Sequence, residues 1–468
     1  MSTRRYFGTD GIRGVAGENP MTAAFALRLG VAAAETLRRN GKDKPHVLIG
    51  MDTRRSGPML AHAAAAGLTS RGATVTWLGV VPTPGVSFLT KKLGADAGLM
   101  VSASHNPFHD NGLKLFDSTG AKLSDDEESS IERLLEEFGA DGTDDLEPVT
   151  GGAVGSIVND NHAELGAGSV LDPYLQHLLD NAPYLDGLRV ALDGAHGAAY
   201  ALAPRLFSKI GARVDVMNVD PDGSNINVEC GSTHPAALAR KVVEGGFDVG
   251  VTFDGDADRA LLIDARGRLV SGDHIIAITA LSRGEDQVVA TLMSNLGSER
   301  FLQGHGVTMH RAKVGDRYVF EELKKRQLTL GGEQSGHVLF LDKAPTGDGM
   351  LTALMALAAV RKSGKPLEQW VNEIPEYPQI LVNVPVPITL RDSLSNVPNV
   401  QSAVRTAEET LGSTGRILLR PSGTEPLVRV MVEGEEAEQV NAVAERVADA
   451  VRLAAADAAP VTSSRAPS

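Results

Sequence analysis

Apolar segments and helical patterns alternate along the first part of the chain. Between residues 22 and 40 the apolar side chains recur with the spacing of a helix, and Thr22 is the predicted N-cap. A strand over 47–51, a helix over about 58–71 and a strand over 73–78 follow. This order of elements predicts a mostly parallel sheet with helices packed on its faces.

The same alternation begins again twice. Apolar strands at 188–192 and 249–253 have helical patterns between them, and a third series contains the strand 287–291 and a long helix from Asp348 to Arg361. Three α/β units of similar size predict a repeated architecture, although we see no repeat in the residues themselves.

The C-terminal part has a different pattern, and it predicts a small α+β domain. Its three strands and final helix follow Pro375 and are expected at 380–384, 416–419, 427–431 and about 437–455.

We therefore predict three similar α/β domains with mixed, mostly parallel sheets, followed by the α+β domain. The first boundary falls within 139–161, which is rich in Gly, Asp and Thr and is predicted to be a surface loop. The predicted domains cover residues 1–160, 161–265, 266–377 and 378–456, followed by a disordered tail over 457–468.

Composition excludes several classes of protein. With 468 residues, the chain exceeds what one hydrophobic core usually supports. Its net charge of −14 disfavours nucleic acid or an anionic membrane as a partner. Cys230 is the only cysteine, which excludes an intrachain disulfide and fits a reducing compartment. The longest apolar run, 350–360, is too short for a membrane span and the basic start lacks a signal-peptide core, so we expect a cytoplasmic protein.

Ser104 follows the apolar strand 97–101 and begins a loop of small polar residues. Ligands of open α/β sheets bind at the carboxyl ends of strands, so a hydroxyl there, beside His105, is well placed for chemistry. The alternative is a tight turn in which Ser104 and Asn106 bond neighbouring backbone groups.

Three carboxylates, Asp254, Asp256 and Asp258, follow the strand 249–253 on a turn that contains Gly255. Such groups repel one another unless a cation lies between them, and a small set of oxygen ligands suits Mg²⁺. An EF-hand calcium loop is excluded by its spacing, whereas a solvated acidic turn remains an alternative.

Two further loops carry polar side chains. Glu333 and Ser335 lie in a Gly-rich loop between apolar strands and could bind sugar hydroxyls, although a simple hairpin would have the same pattern. Nearby, the segment 311–317 supplies cations, and its Lys313 is a candidate acid or base or a solvated side chain.

The C-terminal domain contains a candidate phosphate cradle after an apolar strand, with a turn as the alternative. The groups that would bind the phosphate are Arg420, Ser422, Gly423, Thr424 and Arg429. A second Gly-flanked arginine, Arg13, lies near the start of the chain.

Common serine-based machinery is absent from the sequence. It contains neither a G-x-S-x-G elbow nor a Walker A motif. Cys230 and His234 could form a nucleophilic pair, but a buried structural cysteine is much more common. The four loops together predict phosphoryl transfer on a phosphorylated polyol, with Mg²⁺ offsetting charge at a serine that carries the phosphoryl group.

The order of these motifs resembles the α-D-phosphohexomutases over about residues 4–455. Four stretches carry the resemblance: Ser-Ala-Ser-His-Asn-Pro (102–107), Asp-Gly-Asp-Ala-Asp-Arg (254–259), Gly-Glu-Gln-Ser-Gly-His (332–337) and Arg-Pro-Ser-Gly-Thr-Glu-Pro (420–426). Within this superfamily, three more are similar to bacterial phosphoglucosamine mutases: 6–14, 225–234 and 314–318.

The resemblance implies four domains around a central cleft. It also implies conversion of glucosamine 6-phosphate to glucosamine 1-phosphate through a phosphoserine enzyme and a bisphosphorylated sugar, for UDP-N-acetylglucosamine and cell-wall precursors. A sugar 1,6-bisphosphate would act as activator. The expected partner is a small sugar phosphate, with no nucleic acid or membrane. A homodimer is a candidate assembly, and the sequence does not determine the oligomeric state.

Roles for individual residues are likewise implied by the resemblance. Phosphorylated Ser104 would complete one Mg²⁺ site with Asp254, Asp256 and Asp258. The cationic groups and imidazole around the transferring phosphoryl group would be Arg13, His105, Lys114 and Arg259, with Lys313 as general base. Sugar hydroxyls would be bound by Glu333 and Ser335, and the non-reacting phosphate by Arg420, Ser422, Gly423, Thr424 and Arg429. Pro421 departs from the family, in which lysine is expected, and one cation is lost there.

Alternatives remain open at this point. A mutase for glucose or mannose phosphates would use the same motifs, since no residue visibly recognises a 2-amino group. A phosphatase would transfer the phosphoryl group to water, and a sugar-phosphate binder without activity would need no nucleophile.

We also expect the C-terminal domain to move on binding, because the cradle lies on a separate domain.

Overall fold

The computed structural model describes residues 5–8, 10–138, 146–147, 149–159, 168–422 and 426–458. Among these, the residues within 1–293 and 305–373 form one compact unit, and those within 294–304 and 374–468 form a second. None of the described helices is long and apolar enough to cross a membrane. The four predicted domain boundaries stay a prediction.

The first sheet has six strands, in the spatial order β1-β5-β4-β2-β3-β6. The strands are β1 (Ile12–Val15), β2 (His46–Met51), β3 (Thr74–Val80), β4 (Ala97–Val101), β5 (Asp110–Asp117) and β6 (Ile157–Asn159). The helices are α1 (Ala23–Arg39), α2 (Gly57–Ser70), α3 (Thr83–Lys92) and α4 (Asp125–Glu137). Thr22 caps α1 as predicted, since its hydroxyl accepts a hydrogen bond from the Phe25 N–H.

The second sheet follows the order β11-β10-β9-β7-β8. Its strands are β7 (Arg189–Asp193), β8 (Arg213–Met217), β9 (Val249–Phe253), β10 (Ala260–Asp264) and β11 (Leu269–Val270). The helices before and between them are α5 (Asp172–Asp180), α6 (Leu202–Lys209) and α7 (Ala236–Gly245).

The third sheet follows the order β13-β12-β14-β15. Its strands are β12 (Gln287–Thr291), β13 (Thr308–Ala312), β14 (Leu330–Gly332) and β15 (Val338–Phe340). The helices in this part of the chain are α8 (Gly272–Arg283), α9 (Leu296–Gly304), α10 (Asp316–Arg326), α11 (Gly349–Ser363) and α12 (Leu367–Glu373), of which α9 lies in the second compact unit.

These three sheets share one arrangement, which confirms the predicted repeat. In each, three neighbouring strands are parallel, and the last of them forms an antiparallel hairpin with the next strand in the chain. The hairpins are β4–β5, β9–β10 and β14–β15. The sheets are therefore mixed, as predicted.

The fourth sheet is antiparallel throughout, in the order β16-β18-β17. Its strands are β16 (Gln379–Pro385), β17 (Gly415–Pro421) and β18 (Leu427–Gly434), and its helices are α13 (Pro398–Leu411) and α14 (Ala437–Ala458). This confirms the α+β pattern. A core of mostly valine side chains lies between the sheet and the two helices.

Two expectations were wrong in part. The segment 139–161, predicted as loop, contains strand β6, which pairs with β3 at the edge of the first sheet. A three-residue strand is too short for its apolar pattern to differ from that of a loop. The predicted tail begins inside α14, which continues to Ala458, and the rest of the tail lies outside the described residues.

Candidate active site

Ser104 lies in the turn between β4 and β5, and it is fully buried. Its backbone has a left-handed conformation, with a φ of 53°, which is uncommon for a residue other than glycine. The Ser102 hydroxyl accepts a hydrogen bond from the Ser104 N–H at 2.9 Å. A strained serine held by its neighbours is typical of a functional position.

The turn between β9 and β10 brings the carboxylates to this serine. The Ser104 hydroxyl donates a hydrogen bond to Asp254 Oδ2 at 2.6 Å. Gly255 allows the close approach, because a Cβ there would lie 2.6 Å from the Ser104 carbonyl oxygen. Two motifs that are 150 residues apart in sequence therefore form one site.

Asp254, Asp256 and Asp258 fit a divalent cation. All three are buried, and each places a carboxylate oxygen within 4.8 Å of the others. Oδ1 of Asp256 is buried and has no hydrogen-bond partner among the described residues. Burial, and then the charges of Asp258 and Asp256, raise the pKa of Asp254 well above its usual range. A hard cation with oxygen ligands would satisfy this donor set.

Two cationic side chains lie beside the carboxylates. Lys114 is buried, with its Nζ 2.8 Å from Asp256, 3.1 Å from Asp10 and 3.8 Å from Asp258. Burial opposes its charge, but Asp10 and Asp256 outweigh burial and raise the pKa of Lys114. Nε of Arg259 lies 3.7 Å from Asp258 Oδ1. Both positive charges are therefore fixed next to the predicted metal ligands.

Arg13 and His105 complete the surroundings of Ser104. Arg13 donates a hydrogen bond to Asn106 Oδ1 at 3.2 Å and pairs with Asp10. His105 Nδ1 is 3.4 Å from the Ser104 hydroxyl oxygen. Burial, followed by the charges of Arg259 and Arg13, lowers the pKa of His105 to about 4, so its imidazole is neutral at physiological pH.

The turn between β14 and β15 supplies polar groups at the same place. Glu333 accepts a hydrogen bond from the Gly315 N–H at 2.9 Å and lines a cavity of about 380 Å³ with Arg13, His105 and Arg259. The Ser335 hydroxyl oxygen is buried and has no hydrogen-bond partner in the described part of the chain, but Ser335 is not among the residues that line this cavity. Loops of all three sheets in this compact unit thus meet at one cavity, which is large enough for a sugar phosphate.

An ion network that was not predicted from the sequence connects these loops. His337 Nδ1 lies 3.5 Å from Asp258, and its Nε2 lies 3.5 Å from Asp316. Although burial opposes protonation, Asp258 and then Asp316 raise the pKa of His337 to about 9. Lys122 bridges Asp10 and Asp316. His337, Asp10 and Asp316 all lie in motifs that carry the family resemblance, and this could have identified them as functional residues. Nothing in the sequence distinguishes Lys122 from a solvated lysine.

Lys313 is placed differently from the other predicted residues. Its side chain is exposed, and Nζ lies 5.6 Å from the centre of the Tyr318 ring. It is not among the residues that line the cavity. Its role as general base therefore stays a prediction that gains no support from this geometry.

The predicted phosphate cradle lies in the turn between β17 and β18. Arg420 and Arg429 are direct partners across these antiparallel strands. Burial, and then the charge of Arg429, lowers the pKa of Arg420. Ser422 is buried, and its N–H donates to the Leu427 carbonyl at 2.9 Å. The hairpin therefore brings two guanidinium groups together, and guanidinium groups bind phosphate well. Gly423 and Thr424 lie outside the described residues.

Four stretches of the chain match the domains described as phosphoglucomutase/phosphomannomutase. The alpha/beta/alpha domains I, II and III match residues 4–140, 172–267 and 271–377, and the C-terminal domain matches residues 381–450.

Similar proteins extend over nearly the whole chain. A phosphoglucosamine mutase of Deinococcus deserti is 52% identical over 96% of this chain and 99% of its own length. One from Thermus thermophilus is 51% identical over 95% of this chain and 98% of its own. The structure of a phosphoglucomutase/phosphomannomutase family protein from Burkholderia thailandensis has a TM-score of 0.78 at 25% identity and covers 97% of this chain and 98% of that protein.

Proposed function

The chain belongs to the phosphoglucomutase/phosphomannomutase family, the α-D-phosphohexomutases, and from this premise we propose that it interconverts glucosamine 6-phosphate and glucosamine 1-phosphate. It is an isomerase. The observation that carries the proposal is the hydrogen bond from the Ser104 hydroxyl to Asp254, one member of a buried carboxylate triad. Full-length likeness to enzymes of that name supports the amino-sugar substrate.

Ser104 is the residue that carries the phosphoryl group in this proposal. Its phosphate, with Asp254, Asp256 and Asp258, would hold one Mg²⁺. When bound, the ion would supply positive charge against the negative charge of the transferring phosphoryl group. The orphaned Asp256 oxygen and the mutual repulsion of the buried carboxylates support a cation at this place.

The reaction needs two transfers. In the first, the free 1-hydroxyl of glucosamine 6-phosphate attacks the phosphorus, its proton goes to a base, and the bond to Ser104 Oγ breaks. The sugar bisphosphate then reorients, Ser104 Oγ gives its proton to a base and attacks the phosphorus of the 6-phosphate, and the bond from that phosphorus to O6 breaks. The leaving O6 takes a proton, so the products are glucosamine 1-phosphate and the phosphorylated serine. Arg13, Lys114 and Arg259 hold the group in transit by charge, and Asp254 accepts the hydrogen bond of the free hydroxyl.

The remaining predicted residues bind the parts of the sugar that do not react. Glu333 and Ser335 hold hydroxyls, and Arg420, Ser422, Gly423, Thr424 and Arg429 bind the other phosphate. The Arg420–Arg429 pair supports an anion site, because each guanidinium would be stabilised by a phosphate between them. We retain Lys313 as the candidate base only from the family pattern.

The test is a coupled assay of the purified protein with Mg²⁺ and a trace of sugar 1,6-bisphosphate as activator. Glucosamine 6-phosphate is compared with glucose and mannose 6-phosphates. We expect a kcat/KM at least about tenfold higher for the amino sugar. Equal or better turnover of glucose phosphate would remove the substrate claim, and release of inorganic phosphate without isomerisation would identify a phosphatase.

The wider setting is also a proposal. The product would enter UDP-N-acetylglucosamine and cell-wall precursor synthesis in the cytoplasm. We expect a homodimer, for which sedimentation velocity at several concentrations is the measurement, and a monomer at all of them would contradict it.

A further inference from the structure

Arg54 is a buried arginine outside all of the motifs above. It follows strand β2, and its side chain has no exposed surface. Its Nε donates a hydrogen bond to Asp52 Oδ2 at 2.9 Å, so the buried charge has a partner. The other four N–H groups of the guanidinium must also find acceptors in this buried position.

All four of these N–H groups bind the loop that carries Ser104. Nη2 donates to the backbone carbonyls of Ser104 at 2.9 Å and Asn106 at 2.8 Å. Nη1 donates to the carbonyls of Asp110, at 3.0 Å, and Pro107. All five donors of one guanidinium are therefore used, and four of them hold a single loop. Only the planar fork of an arginine can make this set of contacts.

The partner of Arg54 is connected to the same serine. Ser102 Oγ donates to Asp52 Oδ2 at 2.6 Å and accepts from the Ser104 N–H at 2.9 Å. Both backbone polar groups of Ser104 are thus held by the set Asp52, Arg54 and Ser102, which we call the serine clamp. The hydroxyl of Ser104 is left to bind Asp254.

We propose that Arg54 is a positioning residue, which acts through the serine clamp to keep Ser104 Oγ aimed at the metal loop. The proposal rests on the proposed function. During a catalytic cycle Ser104 alternates between a hydroxyl and a phosphate ester, so the contacts of its side chain change. Carbonyl oxygens are the same in both states, and contacts to them maintain the left-handed backbone throughout. Without the clamp this conformation is unfavourable for a serine.

The main test is Arg54→Lys, which keeps the charge but places three donors on one nitrogen that cannot reach four separate carbonyls. We expect kcat with glucosamine 6-phosphate to fall about tenfold or more, because a small misplacement of a reacting atom has that effect. KM should change by less than about threefold, since the sugar and phosphate contacts are untouched. The rate at which sugar 1,6-bisphosphate phosphorylates Ser104, followed by intact mass, should fall in parallel.

Arg71→Lys is the matched control. Arg71 is also buried, but it donates to Glu35 at 3.1 Å and to the Glu147 carbonyl at 2.8 Å rather than to the Ser104 loop. Its substitution should lower thermal stability and leave kcat of the folded protein unchanged. A similar loss of kcat in both variants would mean that any buried arginine has this effect, and the proposal would be overturned.

A second variant covers the case in which Arg54→Lys does not fold. Ser102→Ala removes one hydroxyl of the clamp and leaves Arg54 in place, and we expect a lower kcat at unchanged KM. If Arg54→Lys folds and its kcat is unchanged, the proposal is overturned. If Arg54→Lys does not fold, an unchanged kcat in Ser102→Ala overturns it instead. An inactive wild-type protein in the same assay would instead refute the proposed function, so the two failures are distinguishable.

Discussion

Asp348 is a buried carboxylate whose charge affects the stability of the first compact unit. It caps helix α11 by accepting a hydrogen bond from the Leu351 N–H at 3.0 Å, and it accepts another from the Tyr174 hydroxyl at 2.8 Å. Burial raises the pKa of Asp348 to about 6, although these hydrogen bonds oppose the shift. The folded state therefore favours the protonated form.

Asp348→Asn tests the consequence for stability. Because the folded pKa lies above the unfolded one, ionisation of Asp348 destabilises the protein as the pH rises from about 4 to 6, and the full penalty is present above pH 6. Asparagine carries no charge, its Oδ1 can accept from the Leu351 N–H, and its Nδ2 can donate to the Tyr174 hydroxyl oxygen, which reverses that hydrogen bond. We therefore expect a gain of about 1–3 kcal/mol in unfolding free energy at pH 7.5 and a smaller gain at pH 5.

Thermal melts of wild type and variant at the two pH values provide the measurement. Asp186→Asn is the control, since Asp186 is exposed and its substitution should have no such dependence on pH. A gain of equal size at pH 5 and pH 7.5 would contradict the account.

Gly255→Ala tests the close approach of the two loops. The added Cβ would lie 2.6 Å from the Ser104 carbonyl oxygen and 2.8 Å from Asn227 Nδ2, so the loops must separate. We expect about tenfold or greater loss of kcat and a destabilisation of about 1–3 kcal/mol. Gly304→Ala is the control, because no atom other than those of its chain neighbours and its own helix backbone lies within 4 Å of its Cβ position. Full activity in the Gly255 variant would show that this contact is not needed.

Single residues also show what the sequence could and could not predict. Ser104 and the three aspartates could be found because each follows a strong apolar strand. Arg54 and Lys122 could not, because a buried arginine or lysine has the same sequence signal as a solvated one. Their roles come from partners far away in the chain, such as Asp316 for Lys122.

At the scale of elements, the predicted loops that carry Ser104, the three aspartates and Glu333 all lie in hairpin turns. The turns β4–β5, β9–β10 and β14–β15 occupy equivalent places in three sheets of the same order. Many of the strands could be predicted from their apolar runs, and mixed sheets were predicted, but the pattern did not show that β5, β10 and β15 are the strands that run antiparallel. A buried strand has the same pattern whether its neighbour is parallel or antiparallel.

The β17–β18 hairpin provides a contrast between two arginines of one strand. Arg420 faces the like charge of Arg429, whereas Arg416 pairs with buried Glu433 at 2.7 Å. Arg420→Gln should raise KM for the sugar phosphate about tenfold or more, which corresponds to one lost charge-assisted hydrogen bond, with little effect on thermal stability.

Arg416→Gln should show the opposite behaviour: a lower melting temperature, because the buried Glu433 carboxylate loses the cation that it pairs with, and an unchanged KM. Steady-state kinetics and thermal melts of both variants are the measurements. An unchanged KM in the Arg420 variant would remove it from the phosphate cradle.

At the scale of the whole molecule, the net charge of −14 contrasts with a site in which Arg13, Lys114 and Arg259 are close together. Composition gives only the expectation that nucleic acid is not a partner, and it could not reveal this local cluster of positive charge. The number and class of the sheets followed from periodicity, whereas the assembly of three loops at one cavity required the structure.

Metal removal should affect the stability of the molecule as well as its activity. In the metal-free protein the three buried carboxylates repel one another. Relative to that state, Mg²⁺ at about 100 times its Kd should stabilise the folded protein by about 2.7 kcal/mol. Thermal melts with and without Mg²⁺ measure this. Asp256→Asn should weaken the response, and Asp215→Asn, which changes an exposed carboxylate, should preserve it. A melting temperature that does not respond to Mg²⁺ would contradict a metal site at the triad.

The most direct test of the central claim follows labelled phosphate from Ser104 to the sugar. The enzyme is phosphorylated with isotopically labelled sugar bisphosphate, freed of ligand, and mixed with glucosamine 6-phosphate, alongside Ser104→Ala. We predict label on Ser104 before mixing, its transfer to glucosamine phosphates afterwards, and no labelling of the variant. Label at another residue, or its release as inorganic phosphate without transfer to the sugar, would contradict a phosphoserine mutase.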